Sequence, residues 1–252
     1  MNPKALEGKV ALVTGSSKGL GKAMSLALAQ AGAKMALASR DKKLLAETAE
    51  AVRTLGSDAE VFPADVSNER EVLALEKAVS ARFGKVHILI NNAGINLRKP
   101  LTEFTLEEWN RIQTTNVTSA FLMCRSFVPQ MKGGGYGRII NMTSMMSHVS
   151  LVGRSAYSTS KAALLGFTRA LALELAPEQI TVNGISPGPC STEMNKPLLE
   201  NAELTQFFLS RIPAGRWGRP EEIGQLAVYL CSEHAGFITG TDIVIDGGWT
   251  AQ

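Results

Sequence analysis

Short, unbroken apolar runs alternate with segments of helical period along this chain. The first run, Lys9-Val-Ala-Leu-Val-Thr14, stops in the glycine cluster Thr14-Gly15-Ser16-Ser17-Lys18-Gly19-Leu20-Gly21. Met24, Leu28 and Ala31 then share one helical face, so the opening reads strand, turn, helix. The pattern predicts further strands over 35–38, 60–63, 86–90, 138–142, 180–185 and 243–246, and helices over 41–55, 68–83, 156–175 and 220–231. One long helix is expected from Thr105, which forms a capping-box pattern with Glu108, to Met131, where Gly133-Gly134-Gly135 follows. Strands this uniformly apolar suit a parallel sheet covered by helices on both faces. The expected fold is α/β: one domain over residues 1–252, with a doubly wound parallel sheet of seven strands. Residues 187–219 break the rhythm with prolines, polar residues and short helical pieces, and read as a lid over a site or as a connector. Long irregular insertions at sheet ends favour the lid.

Composition narrows the function classes. With 45% hydrophobic and 19% charged residues in 252, the chain has an ordinary globular core. Its net charge of +3 is dispersed, with no basic run longer than a pair such as Lys42-Lys43, which argues against nucleic acid as a partner and leaves small anions open. Cys124, Cys190 and Cys231 stand too far apart for a CxxC ligand pair, so neither a metal site nor a disulfide framework is expected. The first residues lack an apolar leader, and no stretch is long and apolar enough for a membrane helix. A soluble, cytoplasmic protein is the expectation.

The glycine cluster lies between the first strand and the first helix, where a dinucleotide pyrophosphate meets free helix amides. Gly15, Gly19 and Gly21 let the backbone approach, with Ser17, Lys18 and Leu20 beside them; a tight turn is the plainer alternative. At the end of the second strand stand Ser39 and Arg40, where other dinucleotide sites carry an acid for the ribose 2′-hydroxyl. Arg40 and Lys18 favour a 2′-phosphate, hence NADP(H), with NAD(H) still open and plain surface charges as the alternative. Asp65-Val66 ends the third strand, where a carboxylate can accept an adenine amino group. Asn91-Asn92-Ala93-Gly94 ends the fourth with backbone open to a ribose.

Tyr157 and Lys161, four apart at a helix start, share a face. A neighbouring ammonium favours the phenolate and is expected to lower the tyrosine pKa, fitting Tyr157 to exchange a proton with a carbonyl or alcohol oxygen during hydride transfer. Ser144, at the end of the fifth strand, offers a hydroxyl to hold that oxygen, with Thr143 as its rival. Asn116 is an amide inside the expected long helix. It serves either a local hydrogen bond or a water that links Lys161 to solvent.

Together, Thr14-Gly15-x-x-x-Gly19-x-Gly21, Asp65, Asn91-Asn-Ala-Gly94, Asn116, Ser144, Tyr157-x-x-x-Lys161 and Pro187-Gly188 resemble the short-chain dehydrogenase/reductase family over the whole chain. The resemblance implies a Rossmann fold, an Asn116-Ser144-Tyr157-Lys161 catalytic tetrad and a homotetramer. It also implies that Lys161 binds the nicotinamide ribose and that residues 185–192, with Pro187, Gly188, Cys190 and Thr192, lie over the nicotinamide. Within the family, Gly94-Ile-Asn-Leu-Arg98, Arg216-Trp-Gly-Arg-Pro and Asp246-Gly-Gly-Trp249 look most like gluconate 5-dehydrogenases and related sugar-acid or polyol dehydrogenases. Arg98 can fork onto a sugar-acid carboxylate, or be a surface or interface charge. His148 can bond a substrate hydroxyl, or sit in solvent. The resemblance thus implies a small carbonyl or alcohol substrate. Two other readings stay beside it: a 3-oxoacyl-thioester reductase, and a regulator that binds NADP without turnover.

Overall fold

The computed structural model describes residues 4–251. Its strands are β1 (Val10–Thr14), β2 (Lys34–Ser39), β3 (Ala59–Pro63), β4 (Ile88–Asn91), β5 (Gly137–Met142), β6 (Ile180–Pro187) and β7 (Asp242–Ile245). All pair in parallel in one seven-stranded sheet of order β3-β2-β1-β4-β5-β6-β7. The chain winds outward from β1 in one direction and from β4 in the other, so a crevice opens between their carboxyl ends. The register of the centre, with Val13 beside Ile90 and Ile90 beside Ile140, brings those strand ends level.

The helices between them are α1 (Gly19–Gln30), α2 (Lys42–Thr54), α3 (Glu69–Phe83), α4 (Leu106–Gln113), α5 (Ser119–Met131), α6 (Ser155–Leu175), α7 (Lys196–Leu199), α8 (Ala202–Leu209) and α9 (Pro220–Cys231). Side chains alternate across β1: Ala11 and Val13 pack with Met24 and Leu28 of α1 and Ile223 and Ala227 of α9. Leu12 faces the opposite core, with Val72 and Leu75 of α3, Phe127 of α5 and Leu175 of α6. Each face of the sheet therefore has its own apolar layer. A third, smaller cluster joins Met145, Met146, Leu198, Phe208, Ile212 and Trp249 beyond the strand ends.

The expected helix from Thr105 to Met131 is not continuous. The Thr105–Glu108 capping box is present, but residues Thr114–Thr118 form a π turn between α4 and α5. Three threonines, a valine and an asparagine occupy that turn; β-branched and hydrogen-bonding side chains are poor helix formers, and the wider turn re-aims one residue, Asn116. Strand ends elsewhere differ from expectation by a residue or two, as terminal hydrogen bonds fray. Among the described residues, no helix is long and apolar enough to cross a membrane.

Candidate active site

A cavity of about 670 Å³ runs along the carboxyl ends of the strands, from the glycine loop to Tyr157. Thr14 anchors its floor. The Thr14 hydroxyl donates to the Ile90 carbonyl (3.3 Å) and accepts the amides of Asn92 (2.9 Å) and Ala93 (3.0 Å). Asn92 Nδ2 donates back to the carbonyls of Thr14 (2.8 Å) and Gly15 (3.2 Å), so the loops after β1 and β4 hold one another. Gly15 and Gly19 adopt φ values of +63° and +55°, the left-handed region. A Cβ on Gly21 would lie 2.3 Å from the Gly15 carbonyl oxygen, so only glycine lets α1 start this close to β1.

Gly15, Ser17, Lys18, Gly19, Leu20, Gly21, Ser39, Arg40, Asp65, Val66, Asn92, Ala93, Gly94, Pro187, Gly188, Cys190 and Thr192 all line this cavity. Arg40 Nη1 lies 3.7 Å from Asp65 Oδ2, so the two side chains read separately from the sequence are neighbours. Burial would raise the Asp65 carboxyl, but the Ser67 hydroxyl and amide, helped by Arg40, hold it below its ordinary value. Thr192 passes close over Gly19, placing the segment after β6 across the glycine loop.

At the other end, Tyr157 and Lys161 project from the start of α6 into the same cavity. Lys161 is 5% exposed; its Nζ donates to the Met142 carbonyl (2.5 Å) and sits 5.7 Å from the Tyr157 ring centre. Burial lowers the Lys161 ammonium to about 8. Asn116 Oδ1 accepts the Ile95 amide, and its Nδ2 donates to the Ile95 carbonyl and to Ser160 Oγ, the hydroxyl next to Lys161 in sequence. A Cβ on Gly94 would lie 3.2 Å from Asn116 Oδ1 and 3.6 Å from Lys161 Nζ, so the two side chains flank one open stretch of backbone.

Tyr157 corrects an expectation. Its phenol is raised above the ordinary value, chiefly by burial, and what offsets this is the Ser144 hydroxyl and the charges of Arg154 and Arg98, not Lys161. The Lys161 ammonium points to the Met142 carbonyl. Between the two candidate hydroxyls the structure discriminates. Thr143 Oγ1 is engaged by Ile185 O (2.6 Å), Ser186 Oγ (2.9 Å) and Asp242 Oδ1 (2.5 Å), which leaves Ser144 beside Tyr157.

His148 is not among the cavity-lining residues. Its Nε2 lies 2.6 Å from Asp242 Oδ2, because the largely buried Asp242 carboxylate gathers Thr143, Ser186 and His148 around itself. Arg98 does line the cavity, and its Nη2 donates to Asn195 Oδ1 (3.2 Å) in the segment after β6. Arg154, Met145, Met146, Phe208 and Trp217 also line it and were missed in the sequence. Arg154 stands three residues before Tyr157, a spacing that could have flagged it. The apolar residues are distant in sequence and carried no such signal; Phe208 packs tilted against Trp217, ring centres 5.4 Å apart.

These walls fit a dinucleotide. The first turn of α1 has no side-chain cap, leaving its amides to an anion. The cavity volume lies in the range of cofactor sites, and Gly94 leaves open backbone where Asn116 and Lys161 converge. Among the described residues, no group of three or more His, Cys, Asp or Glu side chains could hold a metal ion.

Comparison with known proteins agrees with this architecture. Residues 15–250 match the family model described as enoyl-(acyl carrier protein) reductase. The chain is 38% identical to the 2-dehydro-3-deoxy-D-gluconate 5-dehydrogenase of Dickeya dadantii, over 100% of this chain and 99% of that one. It is also 38% identical to a 3-oxoacyl-acyl-carrier-protein reductase of Vibrio cholerae, over 96% of this chain and 98% of that one. Its fold superposes with a TM-score of 0.95 on a gluconate 5-dehydrogenase from Burkholderia cenocepacia solved with NADP and tartrate, at 32% identity over 100% and 98% of the two chains. The glycine loop, the parallel sheet and the Ser144, Tyr157 and Lys161 cluster thus occur in a chain whose full-length relatives are dehydrogenases and reductases, and the protein belongs to the short-chain dehydrogenase/reductase family.

Proposed function

We propose that this NAD(P)-dependent oxidoreductase interconverts a secondary alcohol of a sugar acid or polyol, such as gluconate, and its ketone, such as 5-ketogluconate, with NADP(H) as the favoured cofactor. One observation carries the reading: the Tyr157 phenol, with Ser144 beside it, faces the same cavity whose far end is the glycine loop. Tyr157 gives a proton to the ketone oxygen during reduction and takes it from the alcohol during oxidation. Ser144 holds that oxygen with a neutral hydroxyl. Bound there, the nicotinamide supplies or accepts the hydride at C4. Lys161 would hold the nicotinamide ribose, and Asn116 fixes the Ile95 backbone beside it.

Three features support a hydroxylated acid as substrate. Arg98 offers a guanidinium at the cavity wall. Asn96 Oδ1 and Trp217 Nε1 are buried without a partner among the described residues, one an acceptor and one a donor, on residues that line the cavity. Substrate hydroxyls would satisfy both once the side chains over them shift. Arg40 beside Asp65 supports a 2′-phosphate at the adenosine end, and the Burkholderia relative was solved with NADP. Residues 187–219 serve as the lid, and the working unit is a cytoplasmic homotetramer.

A second reading, reduction of a 3-oxoacyl thioester, is favoured by the similarity to the Vibrio reductase. A regulator without turnover is disfavoured by the assembled proton-transfer residues. The test is a panel of gluconate, 5-ketogluconate and acetoacetyl thioesters with each cofactor. The proposal expects turnover of the sugar acid pair with NADP(H); activity confined to thioesters would overturn it, as would a tenfold preference for NAD(H) for the cofactor.

A further inference from the structure

Arg154 has no place in the roles assigned above. It sits directly before α6, three residues ahead of Tyr157 and seven ahead of Lys161, so the three share one helical face, and all line the cavity. Arg154 is 7% exposed, and among the described residues its guanidinium has neither a carboxylate partner nor a hydrogen bond. Burial and the like charge of Arg98 lower it to about 10, which leaves it a cation at neutral pH.

Two costs accompany this position. A positive charge at a helix N-terminus has the unfavourable sign against the helix dipole. A largely buried cation without a counter-charge loses most of its hydration, and the facing Tyr157 returns only part of that. A structural arginine would be expected to hold something, and this one does not. An anion in the cavity removes both costs at once.

We propose that Arg154, together with Arg98, forms the seat for a substrate carboxylate, with Arg154 as the deeper residue that sets which hydroxyl reaches Tyr157. The proposal rests on the sugar-acid reading above and names the group that confers it. Arg98 links the seat to the lid through Asn195, whose Nδ2 in turn donates to the Cys190 carbonyl at 3.0 Å. A guanidinium pair recognises a carboxylate through forked hydrogen bonds that a neutral polyol cannot reproduce. A thioester substrate has no anion so near its ketone, and it would leave Arg154 without a counter-charge.

The test uses the full-length protein loaded with NADPH, in which D-gluconate forms a complex that cannot react. Gluconate affinity is titrated by cofactor fluorescence for wild type, Arg154→Met and Arg154→Lys, alongside thermal stability and turnover of the neutral polyol D-glucitol. Arg154→Met should weaken gluconate binding at least about tenfold, with Arg154→Lys intermediate. D-glucitol turnover should fall by a smaller factor than gluconate affinity, because losing the guanidinium also raises the Tyr157 phenol, and the anion-free melting temperature should stay at or above wild type, because an unpaired buried charge has been removed. An unchanged gluconate affinity overturns the proposal. So does a melting temperature that falls while turnover of charged and neutral substrates drops alike, the mark of a structural role. Should wild type neither bind nor oxidise gluconate while reducing thioesters, the sugar-acid reading fails. The same titration with tartrate then decides Arg154 alone: binding lost in Arg154→Met upholds the seat, and binding that is absent or unaffected overturns it.

Discussion

Asn116 closes both backbone groups of Ile95: its Oδ1 accepts the Ile95 amide at 2.8 Å and its Nδ2 donates to the Ile95 carbonyl at 3.0 Å. The π turn between α4 and α5 makes this possible, because it turns one amide out of a helix toward the loop after β4. Asn116→Leu keeps the volume but leaves two half-buried backbone groups of Ile95 unpaired, at about 0.5–1.5 kcal/mol each. Urea denaturation should show a loss of that order. Turnover should fall more than substrate affinity, since the loop flanking Lys161 loosens; unaltered stability and turnover would show that the clamp is dispensable.

Gly21→Ala tests the phosphate loop. The added carbon would sit 2.3 Å from Gly15 O, and backbone on both sides must move. Cofactor affinity, read by fluorescence titration of NADPH, should drop at least about a hundredfold because the amides at the start of α1 shift away from their anion. Wild-type affinity in this variant would mean the pyrophosphate binds elsewhere.

Arg40→Ser tests the cofactor proposal. The Arg40 side chain is 69% exposed and its ion pair with Asp65 spans 3.7 Å, so Arg40→Ser should leave stability nearly unchanged. Its kcat/KM with NADP should fall about a hundredfold while that with NAD changes little, as expected on loss of a charge-assisted phosphate contact. Equal losses with both cofactors would remove Arg40 from that role.

Lys161 gives a pH signature. Its ammonium has a folded pKa of about 8 against an ordinary 10.5, so between those values the unfolded chain binds more protons than the folded one. Stability contributed by this group therefore rises as pH climbs from about 8 to 10.5, and below about 8 the buried charge costs about 3 kcal/mol. Lys161→Met abolishes the term. The stability difference between variant and wild type should shift toward wild type by about that amount over this window, measured by denaturation at fixed ionic strength. A pH-independent difference would place Lys161 in a wetter setting than its 5% exposure indicates.

Much of this was legible in the sequence, and the reasons are local. The strands are unbroken apolar runs, and Gly15, Gly19 and Gly21 occupy positions where backbone geometry admits little else, so element order, fold class and the tight glycine turn followed from neighbours along the chain. The Tyr157–Lys161 pairing followed from helical period. What sequence did not disclose depends on three-dimensional convergence. The π turn at Asn116 answers a contact with Ile95, 21 residues away. His148 finds Asp242, 94 residues on, in place of the cavity. The Tyr157 phenol is raised because burial outweighs charge, which spacing alone does not reveal.

The central claim is that Tyr157 transfers the proton while hydride moves. Tyr157→Phe removes one oxygen and keeps the ring, so NADPH affinity should stay within about threefold of wild type while turnover of the sugar acid pair falls about a thousandfold or more. Substantial turnover in Tyr157→Phe, with the cofactor still bound, would contradict the account.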